Sequence, residues 1–333
     1  MTDCRLSHIL TFALAALATL RLALPCTGQQ PEAGASSGAR IRSARVLILS
    51  TMLASAGVGE WGFAALVEAD GRRILFDTGA RPETVLANAR ELGVDLAGVT
   101  DVILSHNHGD HTGGLLTLRR EHAKTNREAL SRAHVGRGIF LSRARDGRER
   151  NPMIAARAAY EQTGGTFVEY SQATRLFPGC WLTGPVPRAH PERNWSGTGL
   201  LRMPGGATAE DNLPEDQSLV LDTERGLVVV SGCGHAGIIN TLEYARRQIR
   251  QAPVWAALGG FHLFEASESH LEWTARKLRE MGVANFLGAH CTGIEAVYRL
   301  RQLTGLDRRT CAVGSVGGGF RLESGLDPGS IAR

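Results

Sequence analysis

The sequence predicts an α/β protein in which two mixed β-sheets pack face to face and helices cover their outer sides. Three observations carry that expectation. Short apolar runs of strand length alternate with segments of helical periodicity in both halves of the chain. Each half opens on a pair of strand-like runs joined by a tight turn, and histidines recur just past the ends of apolar runs. The 333 residues suffice for one large core or two modest ones. Its 40 glycines suit a loop-rich sheet protein better than a helical bundle.

At the N-terminus, Arg5 precedes ILTFALAALATL (residues 9–20), followed by Arg21, LALPCTG and the polar QQPEAGASSGAR. A short basic start, an apolar run and small residues beyond it describe a secretory signal peptide, here residues 1–28. The run is shorter than the roughly 20 residues a spanning helix needs. The expected location is secreted or periplasmic, with no stable membrane insertion after processing. An extension that is not a signal would leave the protein cytoplasmic. Residues 29–43 read as a linker, 44–323 as the folded domain and 324–333 as a tail.

Within the domain, ARVLILS (44–50) is the first expected strand. GFAALVEADGRRILFDTG then gives two strands around Asp70-Gly71, a strong hairpin signal. PETVLANARELG (82–93) has helical spacing and stops at Gly93. GVTDVILSH is a short buried strand, and GGLLTLRREHAK a helix. From about 119 to 215 the pattern turns irregular and Arg-rich, an apparent insertion with strand pieces at GGTFVEYS and CWLTGPVPR. Regularity returns with the pair DQSLVLDTERGLVVVSGCGH and the helix GIINTLEYARRQI. The strand APVWAALGGFHLF, helix SESHLEWTARKLREMG, strand VANFLGAHC and helix GIEAVYRLRQLTG follow, and TCAVGSVGGGFRL is expected as one last strand.

A net charge of only +4 gives no support to a general nucleic-acid binder. The charge is uneven, however: Arg119 to Arg202 holds 15 Lys and Arg against 7 Asp and Glu. This stretch reads either as a solvated face or as a wall that attracts an anionic substrate. The six cysteines form no C-x-x-C pair, so neither a zinc finger nor a dense disulfide framework is expected.

The stretch ILSHNHGDHTGG (103–114) packs three histidines and an aspartate within six positions. Neutral imidazole is the commonest metal donor, and a carboxylate adds a hard oxygen ligand. His106 and His108 alternate, so one turn can aim both at one ion. Asp110 and His111 sit further round, placed for a second. His235, His262 and His290 each follow an apolar run, where a rigid scaffold can converge loop residues on one point.

ILFDTG (74–79), SHNHGDHTGG (105–114), SGCGHAGIIN (231–240), GGFHL (259–263) and AHCTG (289–293) together resemble the metallo-β-lactamase superfamily, over roughly residues 44–322. The wording GCGHAGIIN, GGFHL and HCTG is similar to its branch named for 7,8-dihydropterin-6-methyl-4-(β-D-ribofuranosyl)aminobenzene-5′-phosphate synthase, a dihydropteroate-synthase-like activity. The resemblance implies a four-layer αβ/βα sandwich with one or two metal ions, usually zinc, with manganese or iron as alternatives. It implies His106, His108 and His235 as ligands of one ion, and Asp110, His111 and His290 as ligands of a second. Asp77 would steady the histidine loop rather than bind metal. Where the family normally offers an aspartate that bridges both ions, this chain has His262. An imidazole cannot bridge as a carboxylate does. His262 is therefore expected either as a ligand of one ion or as a contact to substrate, and it is the candidate general acid. Cys233 and Cys291, beside expected ligands, are read as small buried side chains, with thiolate ligation as the alternative.

The implied function is a metal-dependent hydrolase of a small anionic substrate, with a metal-activated water as nucleophile and Asp110 orienting it. Two other readings stand beside it. One is a transfer in which a pterin pyrophosphate alkylates an arylamine; the other is a non-catalytic metal-binding sensor.

Overall fold

The computed structural model describes residues 39–194 and 199–332. The expected export segment, residues 1–28, and the linker up to residue 38 lie outside the described residues. The first half of the fold runs β1 (Ala44–Ser50), β2 (Ala64–Ala69), β3 (Arg72–Phe76), α1 (Thr84–Glu91), β4 (Asp101–Leu104), α2 (Gly109–Thr112), α3 (Leu115–Ala123), β5 (Arg132–Gly136), α4 (Pro152–Glu161) and β6 (Thr166–Tyr170). Next come β7 (Thr174–Phe177), β8 (Cys180–Leu182), β9 (Leu200–Arg202), β10 (Thr208–Glu210), β11 (Ser218–Thr223), β12 (Gly226–Ser231) and α5 (Ile238–Gln248). The chain finishes with β13 (Val254–Gly259), α6 (Glu268–Glu280), β14 (Asn285–Gly288), α7 (Ile294–Thr304), β15 (Cys311–Val313), β16 (Gly319–Arg321) and β17 (Gly325–Asp327).

Eight strands form the first sheet in the order β17-β16-β1-β2-β3-β4-β5-β6, and seven form the second in the order β15-β14-β13-β12-β11-β8-β7. Each sheet is antiparallel at one side and parallel at the other: β3 to β6 are parallel, as are β12 to β15. The period of two in each strand divides its side chains between layers. In β1, Val46 and Ile48 enter the core between the sheets, while Leu47 and Leu49 meet α1 and the other helices outside the first sheet. In β12, Val228 and Val230 face the same central core, and Leu227 and Val229 face the helices beyond the second sheet. The result is the helix–sheet–sheet–helix layering the sequence predicts.

Local chemistry explains the element ends. Asp70 and Gly71 both take left-handed backbone (φ 46° and 80°), as a two-residue hairpin between β2 and β3 requires. Helix α6 buries Leu271, Thr274, Ala275 and Leu278, one face at helical spacing, and Ser267 caps its start by accepting from the His270 N–H.

Three expectations need correction. The Arg-rich stretch 119–215 is no insertion: it supplies β5 and β6 to the first sheet and β7 and β8 to the second, with α4 between. The run TCAVGSVGGGFRL is two strands in different sheets, β15 and β16, because local periodicity cannot say which sheet an apolar residue faces. The domain also extends past both expected boundaries. Ile41, assigned to the linker, is buried in the central core, and its N–H donates to Asp222 O. The expected tail holds β17, paired with β16.

Candidate metal centre

Every histidine past a parallel strand lies at the same edge of the sandwich. His106 and His108 follow β4, His235 follows β12, His262 follows β13, and His290 follows β14; His111 comes from the short helix α2. The imidazoles of His106, His108 and His235 form a triangle with ring centroids 4.6, 4.7 and 5.0 Å apart. Their donor nitrogens lie within 4.8 Å of one another. Asp110, His111 and His290 form a second group of the same kind. There His290 Nε2 is 3.3 Å from both Asp110 Oδ2 and His111 Nε2. The rings of His106 and His111, 4.3 Å apart, join the two groups.

Hydrogen bonds on the outer nitrogens fix which nitrogen faces inward. His235 Nδ1 is 2.5 Å from the carbonyl of Asn194, so it must carry the proton. His111 Nδ1 donates to Asp77 Oδ2 at 2.7 Å. Ser105 Oγ donates to the same carboxylate at 2.7 Å and so accepts from His106 Nδ1 at 2.9 Å. The inward Nε2 atoms of His106 and His235 are buried with no hydrogen-bond partner. A buried polar nitrogen left unpaired costs free energy, and a cation between these lone pairs removes the cost. The residues therefore fit a metal ion.

The electrostatics agree. Burial pushes His106 and His235 well below the usual imidazole range, and neighbouring histidines add to it. Burial likewise brings His108 down to about 4, although Asp110 works against the shift. These rings are neutral near pH 7, the form that ligates metal. Burial alone would raise Asp110, but His111 and His290 outweigh it and hold the carboxyl below its ordinary range. His290 differs from the other rings: burial opposes its charging, yet Cys291 and Asp110 push it up to about 10. A cation bound beside Asp110 would take the place of that proton and leave the ring free to ligate.

The backbone is strained here. Asp77, His262 and His290 take left-handed conformations (φ 56°, 47° and 45°) that residues other than glycine rarely adopt. Gly232 is required for another reason. A Cβ there would lie 2.1 Å from Ser105 Oγ and 2.4 Å from Asp77 Oδ2, so only glycine lets the loop after β12 lie against the Asp77 network. Thr78 holds the backbone of α2, its N–H and hydroxyl both donating to His111 O at 2.7 and 2.9 Å.

The structure thus brings together all the residues singled out in the sequence, with His262 at the rim. The His262 ring is 4.7 Å from that of His235, and its buried Nδ1 has no partner. A cavity of about 430 Å³ opens beside it, lined by Arg193, Asn194, Glu265, Ser267 and His270 among others. Sequence reasoning missed Trp61 and Phe264. They are 48% and 42% exposed, edge-to-face at 5.6 Å, with Trp61 4.9 Å from His290 and Phe264 5.1 Å from His262. Nothing marks Trp61 locally, because it sits in the loop between β1 and β2. Several guanidinium groups of the Arg-rich stretch have partners within the protein. Arg119 donates to the carbonyls of Arg127, Ala129 and Thr163; Arg132 pairs with Asp101; Arg143 pairs with Asp211 and Glu215.

A sandwich with imidazole and carboxylate donors gathered at the ends of its parallel strands has the makings of a metal centre. The chain belongs to the metallo-beta-lactamase superfamily, whose family model matches residues 62–247. It is 33% identical over 245 residues to the 7,8-dihydropterin-6-methyl-4-(beta-D-ribofuranosyl)-aminobenzene-5′-phosphate synthase of Methanocaldococcus jannaschii, covering 70% of this chain and 81% of that protein. Among solved structures it is similar to Tm1679, described as a metal-dependent hydrolase of the beta-lactamase superfamily. That match has a TM-score of 0.66 at 27% identity, over 85% of this chain and 99% of the other. Zinc-bound PqqB from Methylobacterium extorquens shares the fold, with a TM-score of 0.50 at 15% identity over 84% of this chain and 99% of the other.

Proposed function

We propose that the protein is a metal-dependent hydrolase of a small anionic substrate, with His106, His108 and His235 holding one ion and Asp110, His111 and His290 a second. Zinc is the proposed metal, with manganese or iron as alternatives. The observation that carries the reading is the convergence of unpaired inward lone pairs, with the outer nitrogens of His106, His111 and His235 already bonded. Such ions, when bound, lower the pKa of a water toward neutrality and polarise the scissile bond.

The chain's own groups supply the rest. Asp110, 23% exposed beside the fully buried His111 and His290, orients the nucleophile from the solvent side. His262 stands at the rim with its free Nδ1 and serves as proton donor to the leaving group. Six of the seven expected ligands and contacts are imidazoles, so two divalent ions would outweigh the protein's negative charge there. That net positive charge favours a phosphate- or carboxylate-bearing substrate. Trp61 and Phe264 offer a flat apolar rim for its uncharged part.

The test is a panel of phosphoesters, lactones and thioesters, each in neutral and anionic form, with wild type and His108→Ala. Metal-dependent turnover that favours the anionic members and is lost in His108→Ala is expected. A folded, metal-loaded protein that hydrolyses none of them would reject the reading.

A second reading rests on the 33% identity to a synthase. Here the same centre would assist displacement of pyrophosphate from a pterin by an arylamine. The export segment separates the two. We propose that mature protein lies outside the cytoplasm and begins near Gln29, where pterin intermediates are not met. An intact Met1 on cytoplasmic protein would favour the synthase reading.

A further inference from the structure

We propose that Cys233 is a further ligand of the metal centre, its sulfur lying among the donors of both groups, beside His106 of the first and His111 of the second. This rests on the metal centre proposed above. Gly232 lies against Ser105 and Asp77 with no room for a Cβ, so the loop after β12 is drawn in and the next side chain enters the site. Cys233 Sγ stands 3.1 Å from His111 Nε2, the inward nitrogen of that ring. It also forms one donor group with His106 and His111, all within 4.8 Å of one another. His106 belongs to the first ion position and His111 to the second, so the sulfur faces both.

The chemistry favours the same assignment. Two divalent ions held by five imidazoles and Asp110 alone would leave a large uncompensated charge in a buried site. A thiolate would add a negative charge to the donor set. The imidazole of His262 offers a single lone pair and cannot bridge. Cys233 would hold an ion as a thiolate, giving up its S–H proton to solvent when the ion is bound. Cys291 is a neighbour of this sulfur and forms a further donor group with it and His262. Its Sγ lies 3.3 Å from Cys233 Sγ and accepts the His262 N–H at 3.3 Å, steadying both the thiolate and the His262 loop.

The full chain, stripped of metal and reloaded anaerobically with cobalt(II), gives a readout that does not depend on turnover. Wild type is expected to show thiolate-to-cobalt charge-transfer absorption in the near ultraviolet. Cys233→Ser is expected to lose that band and to bind its second cobalt at least tenfold more weakly. Cys233→Asp should keep two cobalt ions while lacking the band, which separates ligation from loss of folding. Two bound cobalt ions without the band in wild type, or a band that persists in a folded Cys233→Ser, overturns the thiolate and leaves hydrolysis standing. Failure of wild type to bind cobalt at all overturns both.

Discussion

Asp77 accepts three hydrogen bonds while fully buried: from the Ser105 N–H, the Ser105 hydroxyl and His111 Nδ1, each at 2.7 Å. One carboxylate therefore orients His111 directly and His106 through Ser105. Asp77→Asn can no longer accept all three, and zinc affinity should fall about 10–100-fold with the fold retained. Competition with a coloured chelator measures this; an unchanged affinity would show that Asp77 only packs. His108 gives a pH test on metal-free protein. Its pKa is lowered in the fold, so its contribution to stability is present above the unfolded value of 6.5 and is lost as pH falls toward about 4. Between those limits wild type should lose more stability than His108→Gln, by up to about 3 kcal/mol. Equal losses in urea melts at the two pH values would refute it. His106, His108, Asp110 and His111 were legible in the sequence because their spacing within HNHGDH is local, whereas Asp77 came only with the family resemblance. Cys233 was placed beside the site with ligation only as the alternative reading, because the close approach of Gly232 to Ser105 and Asp77 joins residues far apart in the chain.

At the scale of elements, the long loop between β1 and β2 shows how Trp61 is held over the site. Asn88 of α1 donates to Leu49 O and Val58 O at 2.8 and 2.9 Å and accepts from Val58 N at 2.7 Å. Glu60 takes the Ser50 hydroxyl and the N–H groups of Ala80 and Arg81. Asn88→Ala leaves polar backbone atoms without partners and should cost about 2 kcal/mol. It should also raise KM more than it lowers kcat if Trp61 grips substrate; a stability loss with KM unchanged would separate Trp61 from binding. Strands such as β1 and β12 were legible because alternation or a continuous apolar run is a local signal. Helix α4 was overlooked within the arginines, although Asn151-Pro152 marks its start: Asn151 accepts from the Met153 N–H, and proline occupies the first turn. The division of β15 from β16 was illegible in a different way. Only the sheets, formed by distant strands, decide where each short run goes.

For the whole molecule, the C-terminal strands tie the two sheets together. β15 completes the second sheet beside β14, while β16 pairs with β1 and β17 pairs with β16 in the first. Ending the chain after Val313 would bare the edge of β1 and uncover Val46, Ile48 and the central core. Such a protein should be insoluble or aggregated, as size-exclusion chromatography would show. A soluble, metal-binding monomer would contradict this.

The pairing of β1 with β16 also sets an order of events during synthesis. β1, the first strand of the described residues, pairs with β2 at once but gains its second neighbour only some 270 residues later in the chain, a contact of very high sequence separation that slows closure. His106, His108 and His111 emerge long before His235 and His290, so a nascent chain offers only part of a coordination sphere. Durable capture of an ion thus belongs to the finished fold, and metal loading should coincide with the last step of folding rather than guide the first.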